Sequence, residues 1–175
     1  TADDIADEGD ATAAQRLDEL QAYRADLEAA CTAATGGTKP QNAGSTRWPH
    51  VFGPLQVALQ THHLPPQLLH DLLDAFVQDV HFTASGRRYA DDAELQDYCR
   101  RSANPVGRLL LHLYGVTDAL ALQRSDAICS ALQLINFWQD LSVDTRRRRH
   151  YVPLADAQRH RVSLQALQVG RDSRE

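Results

Sequence analysis

From Thr117 to Arg149 the chain runs without a single proline or glycine. These two residues are the strongest punctuators of local structure, so a run of this length lacking both is suited to stay helical. The same reading extends upstream. Residues 11–34 carry Leu17, Leu20, Tyr23 and Leu27 at three- and four-residue steps on an alanine-rich background, and residues 67–82 set Leu69, Leu72, Leu73, Phe76 and Val80 on one stripe. Both patterns predict helices with one core-facing side. A shorter helix is expected from about Pro49 to His62, with Pro65-Pro66 marking the start of the next. Breaks are expected at Gly36-Gly37, through the loop-like GGTKPQNAGSTRWP, and at TASGRRY. ADDAELQDYCRRSAN then restarts a helix, and PVGRLLLHLYG continues after Asn104 and Pro105, whose missing donor should interrupt the hydrogen-bond ladder. No segment shows strand alternation and no internal repeat is visible. The fold class is all-α, a helical bundle of up-and-down or orthogonal type.

Length and charge narrow the function classes. A chain of 175 residues suits one domain, read here as a single partial domain over residues 1–175, and a core burying roughly 70% of the unfolded surface. With 43% apolar residues and a net charge of −5, the chain belongs among soluble globular proteins, and nucleic acid is disfavoured as the main partner. Cys31, Cys99 and Cys129 are far apart and lack metal-like spacing, which reads as free thiols in a reducing compartment, the cytoplasm. No apolar run approaches the ~20 residues of a membrane span, which leaves peripheral membrane contact compatible. The chain contains no methionine and opens on TADDIADEGD, with carboxylates already at helical spacing. That reads as a fragment cut inside a helix.

The chemistry gathers in two acidic stretches. On a continuous helix, Asn136, Asp140 and Asp144 fall on one stripe that spans about 12 Å, with Gln133 one turn earlier. Leu134, Ile135, Phe137 and Leu141 surround them, so the stripe reads as ligands lining a cavity. The N-terminal DDIAD repeats the pattern, with Asp3 and Asp7 on one face and Asp4 and Glu8 beside them. Like charges at four-residue spacing repel, so a cation is expected between them. Mg²⁺ fits, because it takes hard oxygen ligands and completes its shell with water and phosphate oxygens. Two acidic helices around Mg²⁺ suggest a diphosphate site, and part of the arginine run 146–149 would clamp the phosphates.

Plainer readings of the same residues stay open. An acidic pair on a helix can be a solvated face. The arginines can complement a helix C-terminus or form an RNA patch. His62, His63 and His70 have spacings that occasional metal sites use, and His70-Asp71 is a dipeptide found in metal phosphohydrolases.

Taken together these blocks resemble the squalene/phytoene synthase family of head-to-head prenyl synthases. TADDIADE resembles its first Asp-rich motif, YCRRSANPVGRLLL its central segment, ALQLINFWQDLSVD its second Asp-rich motif and RHYVP its R-x-Y-x-P tail. SANPVG is nearest to the bacterial hopanoid-pathway branch that forms hydroxysqualene; other branches carry a VAGxVG version. The resemblance implies an isoprenoid-synthase-type helical bundle around an apolar tunnel, here lacking the family's usual N-terminal helix and last C-terminal helices. It implies Asp3, Asp7, Asp140 and Asp144 as Mg²⁺ ligands, Tyr98, Gln133 and Asn136 at the reacting centre, and Arg149 and Tyr151 as substrate-binding residues. Leu110, Leu111, Leu134 and Phe137 become candidates for tunnel wall or plain core.

The implied reaction converts presqualene diphosphate and water into hydroxysqualene and diphosphate, without NADPH. Squalene, presqualene diphosphate or phytoene formation, and a non-catalytic helical remnant binding a partner or prenyl lipid, are the alternatives. The implied partners are a prenyl diphosphate such as presqualene or farnesyl diphosphate, a membrane surface and other hopanoid-pathway enzymes. Arg148 departs from the family pattern where glycine is expected, and Arg146 stands where Pro or Trp is common. Both departures put the turn after the second motif in question.

Overall fold

The computed structural model describes residues 2–36, 45–163 and 166–167. Nine helices occur among them, and no strands. They are α1 (Ala2–Asp7), α2 (Ala13–Thr35), α3 (Pro49–His62), α4 (Pro66–Ser85), α5 (Asp92–Ser102), α6 (Asn104–Leu113), α7 (Ala119–Gln139), α8 (Leu141–Arg146) and α9 (Leu154–Arg159). The all-α expectation holds, and α3 has the expected limits. Most of the predicted loop after α2, residues 37–44, lies outside the described residues.

Local chemistry sets several helix starts. Thr12 and Gln15 close a capping box on α2: the Thr12 N–H donates to Gln15 Oε1 at 2.9 Å and the Gln15 N–H to Thr12 Oγ1 at 3.3 Å. Asp91 caps α5 by accepting the Glu94 N–H at 2.9 Å, and Asp118 caps α7 by accepting the Ala121 N–H at 2.7 Å. Helix α4 runs three residues past its predicted stripe and ends at Gly86, whose φ of +65° L side chains rarely adopt.

Two apolar cores meet along α4. The first joins Leu20, Tyr23 and Leu27 of α2 with Phe52 and Leu59 of α3, Leu73 and Val80 of α4, and Ala2 and Ala6 of α1. Tyr23, Trp48 and Phe52 form an aromatic trio there, with centroids 4.7–6.4 Å apart. The second core joins Ala75 of α4, Leu95, Tyr98 and Cys99 of α5, Phe137 of α7, and Tyr89 and Tyr151 from the connecting segments. Helix α4 therefore presents Leu73 and Val80 to one core and Ala75 to the other.

Helix α7 is attached differently. Gly107 lets α6 approach it closely: a Cβ at that position would lie 2.5 Å from Ser125 Oγ and 2.6 Å from Cys129 Sγ. Arg108 grips Asp126 with two hydrogen bonds, at 2.9 and 2.5 Å, and Ser130 donates to Asn104 Oδ1 at 2.9 Å. Of its 21 residues only Phe137 is buried.

One expectation is corrected. The run from Thr117 to Arg149 is not one helix: α7 stops at Gln139, Asp140 sits at the junction with φ −93° and ψ 9°, and α8 follows. The Asp140 N–H still donates to Asn136 O at 2.9 Å, and Asp140 O accepts from Asp144 N–H at 2.8 Å, so the chain bends while keeping these bonds. Aspartate favours helix ends over interiors, which is why a break needs neither proline nor glycine.

Candidate active site

Five parts of the chain bring the predicted site residues to one cavity of about 400 Å³. Asp3 and Asp7 come from α1 and Tyr98 from α5. Gln133 and Asn136 come from α7, Asp140 and Asp144 from the bend and α8, and Arg149 and Tyr151 from the segment beyond. All nine residues singled out in the sequence thus line a single cavity. The bend at Asp140 replaces the straight stripe without separating Asn136, Asp140 and Asp144.

The acids are not arranged as a finished metal cage. Among the described residues no group of three or more His, Cys, Asp or Glu side chains is placed to hold an ion. Asp7 is engaged: Arg149 Nη1 donates to its Oδ2 at 2.8 Å, and Nη2 donates to Oδ1. The sequence reading had put these two residues in separate roles, one on metal and one on phosphate. In the structure they hold each other. Asp3 and Asp144 carry the signature of carboxylates short of a counter-charge. Partial desolvation raises both pKa values above the usual carboxylate range, with Asp7 and Asp4 adding to the effect at Asp3; at Asp144, Arg149 opposes it and Asp140 adds to it.

Sequence reasoning missed Asp79. It belongs to α4, lines the same cavity and accepts hydrogen bonds from two phenols, the Tyr98 O–H on Oδ2 and the Tyr151 O–H on Oδ1 at 3.3 Å. Burial pushes its carboxyl up to about 7, against the Tyr98 hydrogen bond and the Arg149 charge, which favour ionisation. Burial, together with the Asp79 charge, raises the Tyr98 and Tyr151 phenols well above their ordinary value and keeps them protonated. The available signal was positional. Asp79 follows Leu72 and Phe76 at helical steps on the apolar side of α4, where a carboxylate has no place unless partners await it.

Aromatic packing fixes the two tyrosines. Tyr151 stacks on Phe137 with centroids 3.8 Å apart and planes 9° apart, and Tyr98 lies about 6 Å from both rings. Of the four candidate wall residues, Phe137 lines the cavity and Leu134 packs against the second core. Leu111 is half-buried. Leu110 is 53% exposed and fits neither wall nor core.

The turn in question does form, with Arg148 in the left-handed region at φ +62°. The Arg148 N–H donates to Thr145 O at 3.1 Å and the Arg149 N–H to Asp144 O at 2.8 Å, the paired bonds of a Schellman C-cap. Glycine adopts this position freely, whereas an L residue costs about 1 kcal/mol. The reversal brings Arg149 back over the acids, while Arg146 simply ends α8. The arginine run is therefore not one basic face, because Arg149 turns inward to Asp7.

Comparison with known proteins adds to this geometry. A family model described as squalene/phytoene synthase matches residues 1–175. Hydroxysqualene synthase of Rhodopseudomonas palustris is 36% identical over 154 residues, covering 87% of this chain and 46% of the relative. The enzyme of the same name from Sinorhizobium fredii is 33% identical over 173 residues, covering 98% of this chain and 52% of the relative. The chain thus spans about half the length of these curated relatives. The crystal structure of squalene synthase HpnC from Alicyclobacillus acidocaldarius superposes with a TM-score of 0.78 at 32% identity, over 99% of this chain and 59% of that one.

Proposed function

The chain belongs to the squalene/phytoene synthase family, and on that premise we propose that it carries the acidic, diphosphate-binding part of a prenyl synthase site. The preferred reaction is conversion of presqualene diphosphate and water into hydroxysqualene and diphosphate. Squalene, presqualene diphosphate and phytoene formation remain the alternative products within the family. The observation that carries the reading is the convergence of Asp3, Asp140, Asp144, Arg149 and Tyr98 on one cavity.

The donor set fits Mg²⁺. The cavity offers hard carboxylate oxygens from Asp3, Asp140 and Asp144, and magnesium needs only one or two protein carboxylates beside water and phosphate. Asp3, Asp140 and Asp144 would hold it, with Asp7 once Arg149 is drawn to phosphate. When bound, the ion neutralises charge on the departing diphosphate. The chain's own residues do the rest. Arg149 exchanges its carboxylate partner for phosphate oxygens of the same fork geometry. Gln133 and Asn136 offer amides to the reacting end of the substrate. Phe137 and Tyr151 present ring faces that shield a carbocation from stray water, and Tyr98, held by Asp79, orients the water that is admitted. No reductant is needed for this product.

Among the described residues no helix is long and apolar enough to cross a membrane. A cytoplasmic protein that touches the bilayer surface, where so apolar a substrate resides, and that cooperates with other hopanoid-pathway enzymes is part of the proposal.

The test is product identification by mass spectrometry after incubation with presqualene diphosphate and Mg²⁺, without NADPH. Hydroxysqualene is expected, and Asp140→Asn/Asp144→Asn should abolish turnover and weaken Mg²⁺-dependent diphosphate binding. A folded chain that binds diphosphate equally well with and without those aspartates would overturn the reading in favour of a non-catalytic helical protein.

A further inference from the structure

A second cavity, of about 710 Å³, shares Asp7, Asp79 and Arg149 with the first. It is also lined by Arg16, Arg147 and Arg148, and by Glu8 and Asp10 from the α1–α2 connection. Two of its four arginines are engaged. Arg16 donates to three carbonyls, Ile5 O and Gly9 O at 2.8 Å and Ala11 O at 3.2 Å, and Arg149 is held by Asp7. Arg147 and Arg148 are exposed, and their guanidinium groups make no hydrogen bond or ion pair among the described residues.

The geometry points to a second anion site in this cavity, in which Arg147 and Arg148 take a diphosphate group that has moved past Arg149 or waits beside it. Guanidinium forks match phosphate oxygens two at a time, and a diphosphate offers enough oxygens for both. Glu8 and Asp10 bias the cavity toward a diphosphate that arrives with a divalent cation. The choice of ligand rests on the diphosphate reading above; the site itself is distinct from the one lined by Asp3, Asp140 and Asp144.

The backbone supplies an internal control. Arg161 repeats the turn of Arg148: its φ is +54°, its N–H donates to Gln158 O at 3.1 Å, and the Val162 N–H donates to Ala157 O at 2.8 Å. It lines neither cavity. Two arginines thus occupy the same strained conformation, and one of them faces a cavity.

The experiment is isothermal titration of the chain with inorganic diphosphate in excess Mg²⁺, comparing Arg148→Gly, Arg161→Gly, Arg148→Lys and Asp140→Asn/Asp144→Asn. Both glycine variants should raise Tm by about 2–4 °C, because both relieve the same turn. Only Arg148→Gly should weaken diphosphate, by about tenfold, and Arg148→Lys should recover part of that loss. Unchanged affinity in Arg148→Gly overturns the site, as does complete loss of binding in Asp140→Asn/Asp144→Asn, which leaves the first cavity as sole binder. A loss in Arg148→Gly alone, with the aspartate variant unaffected, upholds the second site and removes the proposed function. Repeating the titration with farnesyl diphosphate separates the sources. An equal loss assigns free diphosphate, and a larger loss with the prenyl ligand than with inorganic diphosphate assigns a substrate headgroup.

Discussion

Helices α2 and α7 are of similar length, 23 and 21 residues, yet they are held by different physics. Helix α2 buries Leu20, Tyr23, Leu27 and Ala30 against α3 and α4, each no more than 9% exposed. Helix α7 buries Phe137 alone, while Leu120, Ile128, Leu132, Ile135 and Trp138 are 41–65% exposed. Apolar burial anchors the first. A close approach at Gly107, an Arg–Asp fork, a Ser–Asn hydrogen bond and one aromatic stack anchor the second. Both helices contain apolar residues at helical steps, so composition does not separate them; neighbours do. The difference also falls along function, since α7 and not α2 carries Gln133 and Asn136 to the cavity.

The largest test of this contrast sets one core residue against one on α7. Phe52→Ala removes a fully buried ring from the aromatic trio and should cost about 3–5 kcal/mol in urea unfolding. Leu132→Ala should stay within about 0.5 kcal/mol, and an equal loss at both positions would break the comparison.

Next in size is the pH response of the second core. The folded pKa of Asp79, about 7, lies above its ordinary value of 3.8, so the folded state binds the extra proton. Its favourable contribution is complete below about pH 4 and disappears as pH rises toward 7, a loss of up to about 4 kcal/mol. Asp79→Asn should flatten most of that fall in unfolding curves between pH 4 and 8; the raised carboxyls of Asp3 and Asp144 leave a shallower slope of the same sign. An unaltered profile would place the titration elsewhere.

Gly107→Ala sharpens the comparison at the α6–α7 contact. Its methyl group must displace Ser125 Oγ and Cys129 Sγ, so a loss of about 1–3 kcal/mol and faster hydrogen exchange in α7 than in α2 are expected. The smallest effect belongs to the fork: Arg108→Gln, on a partly exposed pair, should cost about 0.5–1 kcal/mol and lose most of that difference in high salt.

Much of this protein was legible along the chain. Helical stripes, proline starts and capping residues are short-range signals, which is why α3 matched from Pro49 to His62 and α2 differed from its expected span by only a residue or two. The two acidic motifs, the central segment and the tail motif likewise located nine of the residues that line the cavity, because each motif travels on one local segment. The bend at Asp140 was missed because a break without proline or glycine leaves no strong local mark. Asp79 was missed because its partners Tyr98 and Tyr151 lie 19 and 72 residues away.

By itself, then, the sequence determined which segments are helical, which faces carry acids and which family pattern they follow, since all of these depend on residues within a few turns of one another. Tertiary structure alone decided that Asp7 and Arg149, 142 residues apart, would pair with each other, that a buried carboxyl would sit under two tyrosines, and that α7 would keep its apolar stripe exposed. The physical reason is one of range. Backbone propensity and capping act through adjacent bonds, whereas a charge's partner, a carboxyl's pKa and a side chain's burial are set by whatever the fold brings within a few ångströms.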